Sequence, residues 1–439
     1  MRLLRTVTLA CVLLLALTAC VRGEEGGGAA GPAAGGSEGG SETAAATGPI
    51  KIWYSNNEFE IEWAKAVVKA WNSDHPDEKV TAQEIPAGET SEEVIQASIA
   101  AGNTPCLIYN TSPAAVPQFE KQGGLVALDE FSDGASYVEE RVGDKAQQYQ
   151  SPDGSYYQLP WKANPVMIFY NKKLLQEAGI DAQNPPLATY DEFYETSKKI
   201  VDSGTAKAAI WPSPASQFFQ PWFDYYPLFA AQTDGTQLVE EGESQFADEA
   251  GMAVADFWRR MYDENLSPKE EATGDAFAEE QSAMAIVGPW AIAAYEAVEW
   301  GAAPVPTQDG TPPEETYTFS DAKSVALYSS CENRGTAWEF LKFSTSEEQD
   351  GQLLELTGQM PMREGLTETY ADYFQENPAY EQFADQNART VEVPNVANSI
   401  EMWQTFRDAY SASVIFGNEQ IEPALEGAAE EINGLVSEG

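Results

Sequence analysis

The sequence predicts an α/β fold with a mostly parallel sheet, and three observations support it. Apolar segments at 50–54, 80–85 and 106–109 have the length and composition of buried strands. Each is followed by a segment whose apolar residues recur at helical spacing. A chain of 439 residues with 43% hydrophobic residues can form two or three domains with sizeable cores. Because a helix carries the chain back across the sheet, this alternation favours parallel pairing.

The same patterns continue along the chain. Further strands are predicted at 166–170, 208–211, 283–287, 302–305 and 323–328. Helices are predicted at 58–72, 91–101, 114–122, 189–203, 248–265, 334–343, 346–357, 367–375, 379–387, 400–415 and 420–436. Thr189 and Ser346 each begin a capping box, because Glu or Gln follows three residues later. Gly204 and Gly358 stand where these two helices should end.

The amino-terminal segment has the pattern of a secretory signal. Two arginines precede an apolar run over 7–17, which is too short to span a membrane comfortably. The motif Leu-Thr-Ala-Cys20 resembles a bacterial lipobox, so we expect removal of residues 1–19 and lipidation of Cys20. Ordinary cleavage after Ala19 is the alternative. Residues 20–49 contain too little apolar bulk for a core and are predicted to be a flexible linker. The protein would then be anchored by lipid to the extracellular face of the cell membrane.

The charge of the chain argues against several classes of partner. It has 70 acidic and 25 basic residues and a formal net charge of −45. Such a chain is repelled by nucleic acid and by an anionic membrane surface, and anionic small ligands are disfavoured. His75 is the one histidine, and neither composition nor spacing indicates a metal site or a cofactor.

The stretch 159–179 reads as a connection between two domains. Pro160 and Pro165 favour an extended entry, because each disfavours helix in the residue before it. A short apolar run then predicts a strand buried on both faces. Asn171 can cap the helix that follows, and Gly179 suits its end. The segment therefore places polar and aromatic side chains, among them Asn164, at the joint.

This stretch resembles the hinge crossing of the extracellular sugar-binding proteins of ABC importers, of the maltose-binding-protein type. The resemblance rests on Tyr-Asn-Lys-Lys-Leu174, Ala-Gly-Ile180 and Thr-Tyr-Asp-Glu-Phe193. Three later passages, at 277–290, 336–363 and 393–407, are similar to the same family in the same order, although Gln281 stands where glycine is usual. Together these passages span nearly all of residues 50–439.

The resemblance implies a two-lobed periplasmic-binding-protein fold (type II, maltose-binding-protein-like) with hinge crossings between the lobes. The crossings are expected near Asn164, near Trp300 and after Phe343. Lobe one would comprise 50–164 plus 301–344, and lobe two 165–300 plus 345–439. Cys106 and Cys331 would lie in the same lobe; export permits a disulfide between them, and two buried free thiols are the alternative.

A sugar needs planar hydrogen-bonding groups for its hydroxyls and an aromatic ring for its C–H face. Asn56, Asn57 and Glu58 form a polar cluster at the carboxyl end of a strand, where α/β sheets bind ligands; a turn and a helix cap are the alternative. By resemblance, the expected ligand-binding residues also include Tyr109, Asn110, Asn164, Trp222, Trp290, Gly358, Arg363, Trp403 and Arg407. For the two arginines, ion pairs are the alternative.

The resemblance implies capture of a solute without catalysis. The protein would be the substrate-binding component of an ABC-type sugar importer, a monomer that closes on a neutral saccharide and delivers it to a membrane permease. An α-linked di- or oligosaccharide is expected, because three candidate tryptophans imply several stacked rings. The alternatives are a receptor of the same fold for a polyol, a glycerol phosphate or a peptide, and a secreted glycosidase that uses two carboxylates.

Overall fold

The fold is described by a computed structural model over residues 45–88 and 90–438. The predicted signal peptide, Cys20 and most of the predicted linker lie outside these residues. The protein has two lobes, each built around a mixed β-sheet. Among the described residues, no helix is long and apolar enough to cross a membrane.

The first lobe surrounds a six-stranded sheet with the strand order β13-β4-β12-β3-β1-β2. Its strands are β1 Ile50–Tyr54, β2 Val80–Glu84, β3 Leu107–Thr111, β4 Leu159–Ala163, β12 Lys323–Leu327 and β13 Met360–Pro361. Helices pack on the sheet at Glu58–Asp74, Ser91–Ala101, Val116–Lys121, Gly134–Val142, Arg334–Ser344 and Glu347–Thr357. Apolar side chains from these strands and helices form the core of the lobe.

The second lobe surrounds a four-stranded sheet with the strand order β10-β5-β9-β6. Its strands are β5 Met167–Asn171, β6 Ala208–Ile210, β9 Ser282–Val287 and β10 Trp300–Ala303. Two short pairs accompany it, β7 Val239–Glu240 with β8 Glu243–Ser244, and β11 Thr318–Phe319 with β14 Thr390–Val391. The remaining helices are Lys172–Glu177, Tyr190–Ser203, Tyr225–Gln232, Glu249–Asp263, Leu366–Thr369, Ala371–Glu376, Pro378–Gln386, Ser399–Tyr410 and Ile421–Ser437.

The expectation of a mostly parallel sheet is wrong. β1 pairs in parallel with β2 and β3, and β6 pairs in parallel with β9. The other pairs of the two large sheets are antiparallel. Parallel pairing requires a crossover within one sheet. Here β5 and β12 receive the chain from the other lobe, so no crossover helix sets their direction, and all but one of the antiparallel pairs involve one of these two strands.

The chain passes between the lobes at three places, two of which differ from the expectation. Asn164 lies between β4 of the first sheet and β5 of the second. Trp300 is not a crossing, because it begins β10 of the second sheet and the chain returns only between β11 and β12. Nor does the chain leave the first lobe after Phe343; the third crossing comes only after β13. Helix Glu347–Thr357 packs on helix Glu58–Asp74, and β13 pairs with β4.

Local signals in the sequence are confirmed at several helix ends. The Asn171 side chain accepts from Leu174 N at 3.1 Å. Thr189 and Glu192 form the predicted capping box. Gly204 and Gly358 end their helices in the left-handed conformation, which glycine adopts without steric cost. The last residues of the predicted linker are held in place, since Gly48 N donates to Thr336 Oγ1 at 3.0 Å.

A disulfide joins Cys106, just before β3, to Cys331, just after β12. The bond closes a loop with a sequence separation of 225 residues. We expect its reduction to lower the stability of the protein by about 2–5 kcal/mol, because it restricts the unfolded chain. Thermal unfolding with and without dithiothreitol measures the loss. The double variant Cys106→Ala/Cys331→Ala is the control, and a further effect of reductant on that variant would contradict this explanation.

Candidate functional site

A cavity of about 310 Å³ lies between the two lobes. The first lobe lines it with Thr90, Ser91, Glu92, Ser112, Asp321 and Lys323. The second lobe lines it with Gln217, Phe218, Phe219, Trp222 and Phe223. One wall is therefore polar and charged and the other is aromatic. Its volume is at the small end of the range for ligand pockets.

The aromatic wall is held rigidly by the core of the second lobe. Trp222 belongs to a short 3-10 turn, Gln220–Phe223, that leads into helix Tyr225–Gln232. Its ring contacts Phe218 edge-on at a centroid distance of 5.7 Å and Phe319 at 5.4 Å. Trp403 packs edge-on behind it at 5.6 Å. Such packing fixes the rings before any solute arrives, so little side-chain entropy is lost on binding.

The polar wall is organised by the hinge. Asp321 N donates to Asn164 O at 3.1 Å, and the Asn164 Nδ2 donates to Asp321 O at 3.2 Å. Lys323, the first residue of β12, donates from Nζ to Asp321 Oδ1 at 2.6 Å. Burial opposes the charge of Lys323, but Asp321 and Glu92 together raise its pKa above the ordinary value. The direction of this shift favours the protonated ammonium form of Lys323 at the cavity.

Glu92 brings a carboxyl group to the same wall from the first turn of helix Ser91–Ala101. Burial raises its pKa, although its own backbone N–H and the nearby Lys323 act in the opposite direction. With Asp321 and Lys323, the wall offers carboxylate acceptors and an ammonium donor side by side. Neutral hydroxyl groups can use both kinds of partner, since a hydroxyl donates and accepts.

Two buried polar atoms of the cavity residues have no hydrogen-bond partner among the described residues. They are Ser112 Oγ and Trp222 Nε1. Both residues are only 3% exposed. A buried donor or acceptor without a partner costs free energy.

A second, more polar cavity of about 390 Å³ adjoins the first and shares Thr90, Glu92, Gln217 and Phe218 with it. Residues from both lobes line this second cavity, including Gln96 and Gln118 on one side and Gln404 on the other. The two adjoining cavities thus have a hydrophilic side, which the second cavity forms with the amide groups of its glutamines.

Two of the expected residues lie close to the cavity. The Asn164 side chain is 2% exposed, and its Oδ1 has no partner among the described residues. Trp290 is half-buried and contacts Phe223 of the aromatic wall edge-on at 6.0 Å. Together with Trp222, they remain predicted ligand contacts.

Trp403 and Tyr109, two of the expected ligand contacts, lie in the interior of the lobes. Trp403 is fully buried and supports Trp222 from behind, so it stabilises the wall without lining the cavity. Tyr109 is also fully buried, and its hydroxyl pairs with Ser344 Oγ at 2.5 Å inside the first lobe. Burial raises the pKa of Tyr109, with the hydrogen bond to Ser344 opposing the shift.

The side chain of Asn110 donates a hydrogen bond to a buried carboxylate in the first lobe. It adopts a left-handed backbone with φ 63°, which asparagine tolerates better than most residues. Its Nδ2 donates to Glu60 Oε2 at 2.6 Å, and Ser55 Oγ donates to the same atom at 2.6 Å. The other oxygen of Glu60 accepts from Lys162 and from Gln359. In this structure the amide of Asn110 is thus used inside the protein.

Gly358 and the two expected arginines also have internal partners. A side chain at Gly358 would meet Tyr380 at 2.6 Å, so the close approach there is to the protein's own aromatic ring. Arg363 Nε donates to Asp350 Oδ2 at 3.0 Å. Arg407 donates to Ala215 O at 2.9 Å. Arg363 thus forms an ion pair, which was the alternative to ligand binding. Gly358, Arg363 and Arg407 do not line the cavity between the lobes that is described above.

Asn56, Asn57 and Glu58 are exposed where β1 gives way to the first helix. Asn57 Oδ1 accepts from Phe59 N at 3.0 Å and from Glu60 N at 3.3 Å, so the helix-cap alternative describes this residue. None of the three lines the cavity between the lobes. A role for Asn56 and Glu58 in binding remains a prediction.

Sequence reasoning missed most of the polar wall. Glu92, Ser112, Asp321 and Lys323 come from three separate parts of the chain and carry no motif of their own. The sequence holds one indication of this wall. Lys323 begins a predicted strand and Asp321 lies two residues before it, and lysine is scarce in so acidic a chain. The sequence shows an aromatic cluster around Trp222, but of its members only Trp222 is among the expected ligand contacts.

A two-lobed fold with a solute-sized cavity between the lobes is the architecture of a solute-binding protein. The family model for bacterial extracellular solute-binding proteins matches residues 55–351. This match covers more than half of the chain, which therefore belongs to the family of bacterial extracellular solute-binding proteins.

Individual relatives agree with this assignment. The maltotriose-binding protein of Pyrococcus abyssi is 25% identical over 330 residues, which are 72% of this chain and 67% of that protein. The sn-glycerol-3-phosphate-binding periplasmic protein UgpB of Rhizobium meliloti is 22% identical over 426 residues, 90% of this chain and 95% of that protein. The crystal structure of the cyclic alpha-maltosyl-1,6-maltose binding protein of Arthrobacter globiformis superposes with a TM-score of 0.75 and 21% identity, covering 90% of this chain and 100% of that one. The structural similarity establishes the fold. The family and these relatives are binding proteins rather than enzymes.

Proposed function

We propose that this protein is the substrate-binding component of an ABC-type sugar importer. It captures a neutral saccharide, an α-linked di- or oligosaccharide, between its lobes and delivers it to a membrane permease. The observation that carries this proposal is the cavity with an aromatic wall on one lobe and a polar wall on the other. A sugar ring satisfies both, with its C–H face on the rings and its hydroxyls on Glu92, Asp321 and Lys323.

The position of the walls explains how capture is coupled to a change of shape. Because the two walls belong to different lobes, a bound sugar contacts both only when the lobes are closed. The closed form would present both lobes to the permease. Lipidation at Cys20 would keep the protein at the outer face of the membrane, as a monomer within reach of its partner.

A phosphorylated solute is the main alternative, because one relative is named for binding sn-glycerol-3-phosphate. Phosphate sites usually bring several cationic donors together. Lys323 is the one cationic side chain among the residues that line this cavity, and it faces two carboxyl groups. This local charge favours a neutral ligand.

Calorimetric titration of the purified full-length chain against maltose, maltotriose, trehalose, cellobiose, xylobiose and glycerol-3-phosphate tests the proposal. We expect saturable binding of one neutral saccharide series. Lys323→Met should weaken that binding about 10- to 100-fold, because a hydrogen bond from a charged group contributes about 1.5–3 kcal/mol.

The chain offers a matched control in Lys342→Met. Lys342 also pairs with an aspartate, at 2.8 Å, and also lies near a tryptophan ring, at 5.5 Å from the Trp338 centroid. The corresponding values for Lys323 are 2.6 Å and 5.9 Å. Equal losses in both variants would assign the effect to stability and remove Lys323 from the site. Binding of the phosphate ester alone, or release of hydrolysed sugar, would overturn the proposed function.

A further inference from the structure

A cavity of about 510 Å³ lies in the second lobe directly beside the proposed sugar site. The two cavities share Phe219 and Phe223, so they lie on either side of these residues. β9 lines this cavity with Ala285, Ile286 and Val287. Its lining is mostly apolar and includes the aromatic side chains of Trp211, Phe277 and Tyr295. None of these three aromatic residues was among the expected ligand contacts.

One polar side chain in this cavity has an unused acceptor. Gln220 is 4% exposed and lines the cavity. Its Nε2 donates to Asp224 Oδ2 at 2.6 Å. Asp224 is fully buried and also accepts from Tyr225 N at 2.5 Å and Tyr262 Oη at 3.4 Å. With Nε2 held by Asp224, Gln220 Oε1 has no donor among the described residues.

Trp211 is anchored at the same cavity. Its Nε1 donates to Glu270 O at 2.8 Å, and Lys207 Nζ lies 4.3 Å from the ring centroid. The indole is half-buried rather than part of the lobe core. The cavity is thus lined both by an anchored, partly exposed ring and by a buried carbonyl acceptor. These suit the two parts of a sugar, which are an apolar C–H face and a rim of hydroxyl donors.

We propose that this cavity is an additional subsite for a further ring of the same solute, which makes the ligand an oligosaccharide that extends past Phe219 and Phe223. In it, a sugar hydroxyl donates to Gln220 Oε1 and the ring packs on Trp211. Asp224 is a positioning residue, because it holds the Gln220 amide with its oxygen free. This inference rests on the proposed function, since it needs a saccharide in the first cavity.

The length dependence of binding tests the inference. Calorimetry of the full-length chain is carried out with malto-, cello- and xylo-oligosaccharides of two to five rings. For the series that binds, affinity should rise with length until both cavities are filled. Trp211→Ala should reduce the affinity for the longer members about tenfold and leave that for the disaccharide within about twofold. Trp211→Phe should retain most of the gain, because it keeps an aromatic face.

The two proposals fail in different ways. Lys323→Met should weaken all lengths alike, since it acts in the first cavity. If a disaccharide binds but affinity does not increase with length, or if Trp211→Ala weakens all lengths equally, the additional subsite is disproved and the proposed function stands. If no saccharide of any length binds the unaltered chain, both are overturned. Gln220→Met provides a second test with the same expected pattern, and a thermal unfolding curve for each variant verifies that it is folded.

Discussion

Lys162→Met should destabilise the protein by roughly 3–5 kcal/mol, because it leaves a buried carboxylate without its counter-charge. Lys162 and Glu60 are 1% and 3% exposed and form an ion pair between β4 and the first helix. Gln359 joins them, accepting from Lys162 Nζ at 2.8 Å and donating to Glu60 Oε1 at 2.8 Å. Burial opposes the charge on Glu60, but Lys162 and the surrounding donors lower its pKa.

Urea unfolding followed by tryptophan fluorescence measures this loss. The double variant Lys162→Met/Glu60→Gln should recover much of it, since neither charge is then buried. Lys173→Met is a control for an ion pair on the surface, where both side chains are exposed, and should leave stability nearly unchanged. If Lys162→Met is no more harmful than Lys173→Met, the buried pair does not hold the first lobe together.

Glu392→Gln should remove a large part of the pH dependence of stability. Glu392 is 2% exposed and lies between the lobes. Tyr149 of the first lobe donates to its carboxylate at 3.0 Å, and Tyr226 of the second donates to its backbone carbonyl at 2.7 Å. Burial raises the pKa of Glu392 from 4.5 to about 8, although Val393 N, Tyr149 and Lys323 oppose the shift.

The folded protein binds the proton of the Glu392 carboxyl group more tightly than the unfolded chain does. The contribution of this group to the free energy of unfolding is therefore complete below pH 4.5 and is lost as the pH rises to about 8. The slope is at most about 1.4 kcal/mol per pH unit. An introduced glutamine stays neutral, so the variant should gain stability relative to the natural chain between pH 5 and pH 9, by an amount on the order of a few kcal/mol.

Urea midpoints at pH 5, 6, 7, 8 and 9 check this prediction. Glu381→Gln, at an exposed position, controls for the loss of one negative charge from an acidic chain. Identical pH slopes for the natural chain and Glu392→Gln would mean that Glu392 is already ionised in the folded protein at pH 5.

The parts of the structure that depend on neighbouring residues were predictable from the sequence. The Asn171 cap, the Thr189 capping box and the glycine ends at Gly204 and Gly358 each involve residues within a few positions of one another. The connection between the lobes at Asn164 was also predictable from nearby residues, because prolines on either side of it favour an extended chain. The order of motifs along the chain also identified the family correctly.

The sequence could not separate aromatic residues that line the site from those that support it. Each of the three candidate tryptophans lies in a passage that resembles the family's ligand-binding motifs. In the structure, however, Trp222 lines the cavity, Trp290 contacts its wall and Trp403 is buried behind it. Arg363 is likewise a plausible sugar contact until Asp350 is seen beside it. Burial depends on how elements pack, and residues far apart in sequence decide it.

By itself, the sequence determined the class of fold, the order and type of the main helices and strands, and membership of a solute-binding family. These features depend on short-range periodicity and on hydrogen bonds between near neighbours. Only the tertiary structure decided the strand directions, where the chain crosses between lobes, and which side chains line the cavity. Ser112 and Lys323 meet there because β3 and β12 pair antiparallel, and Glu92 comes from a separate helix. Side chains so distant in sequence leave no periodic pattern.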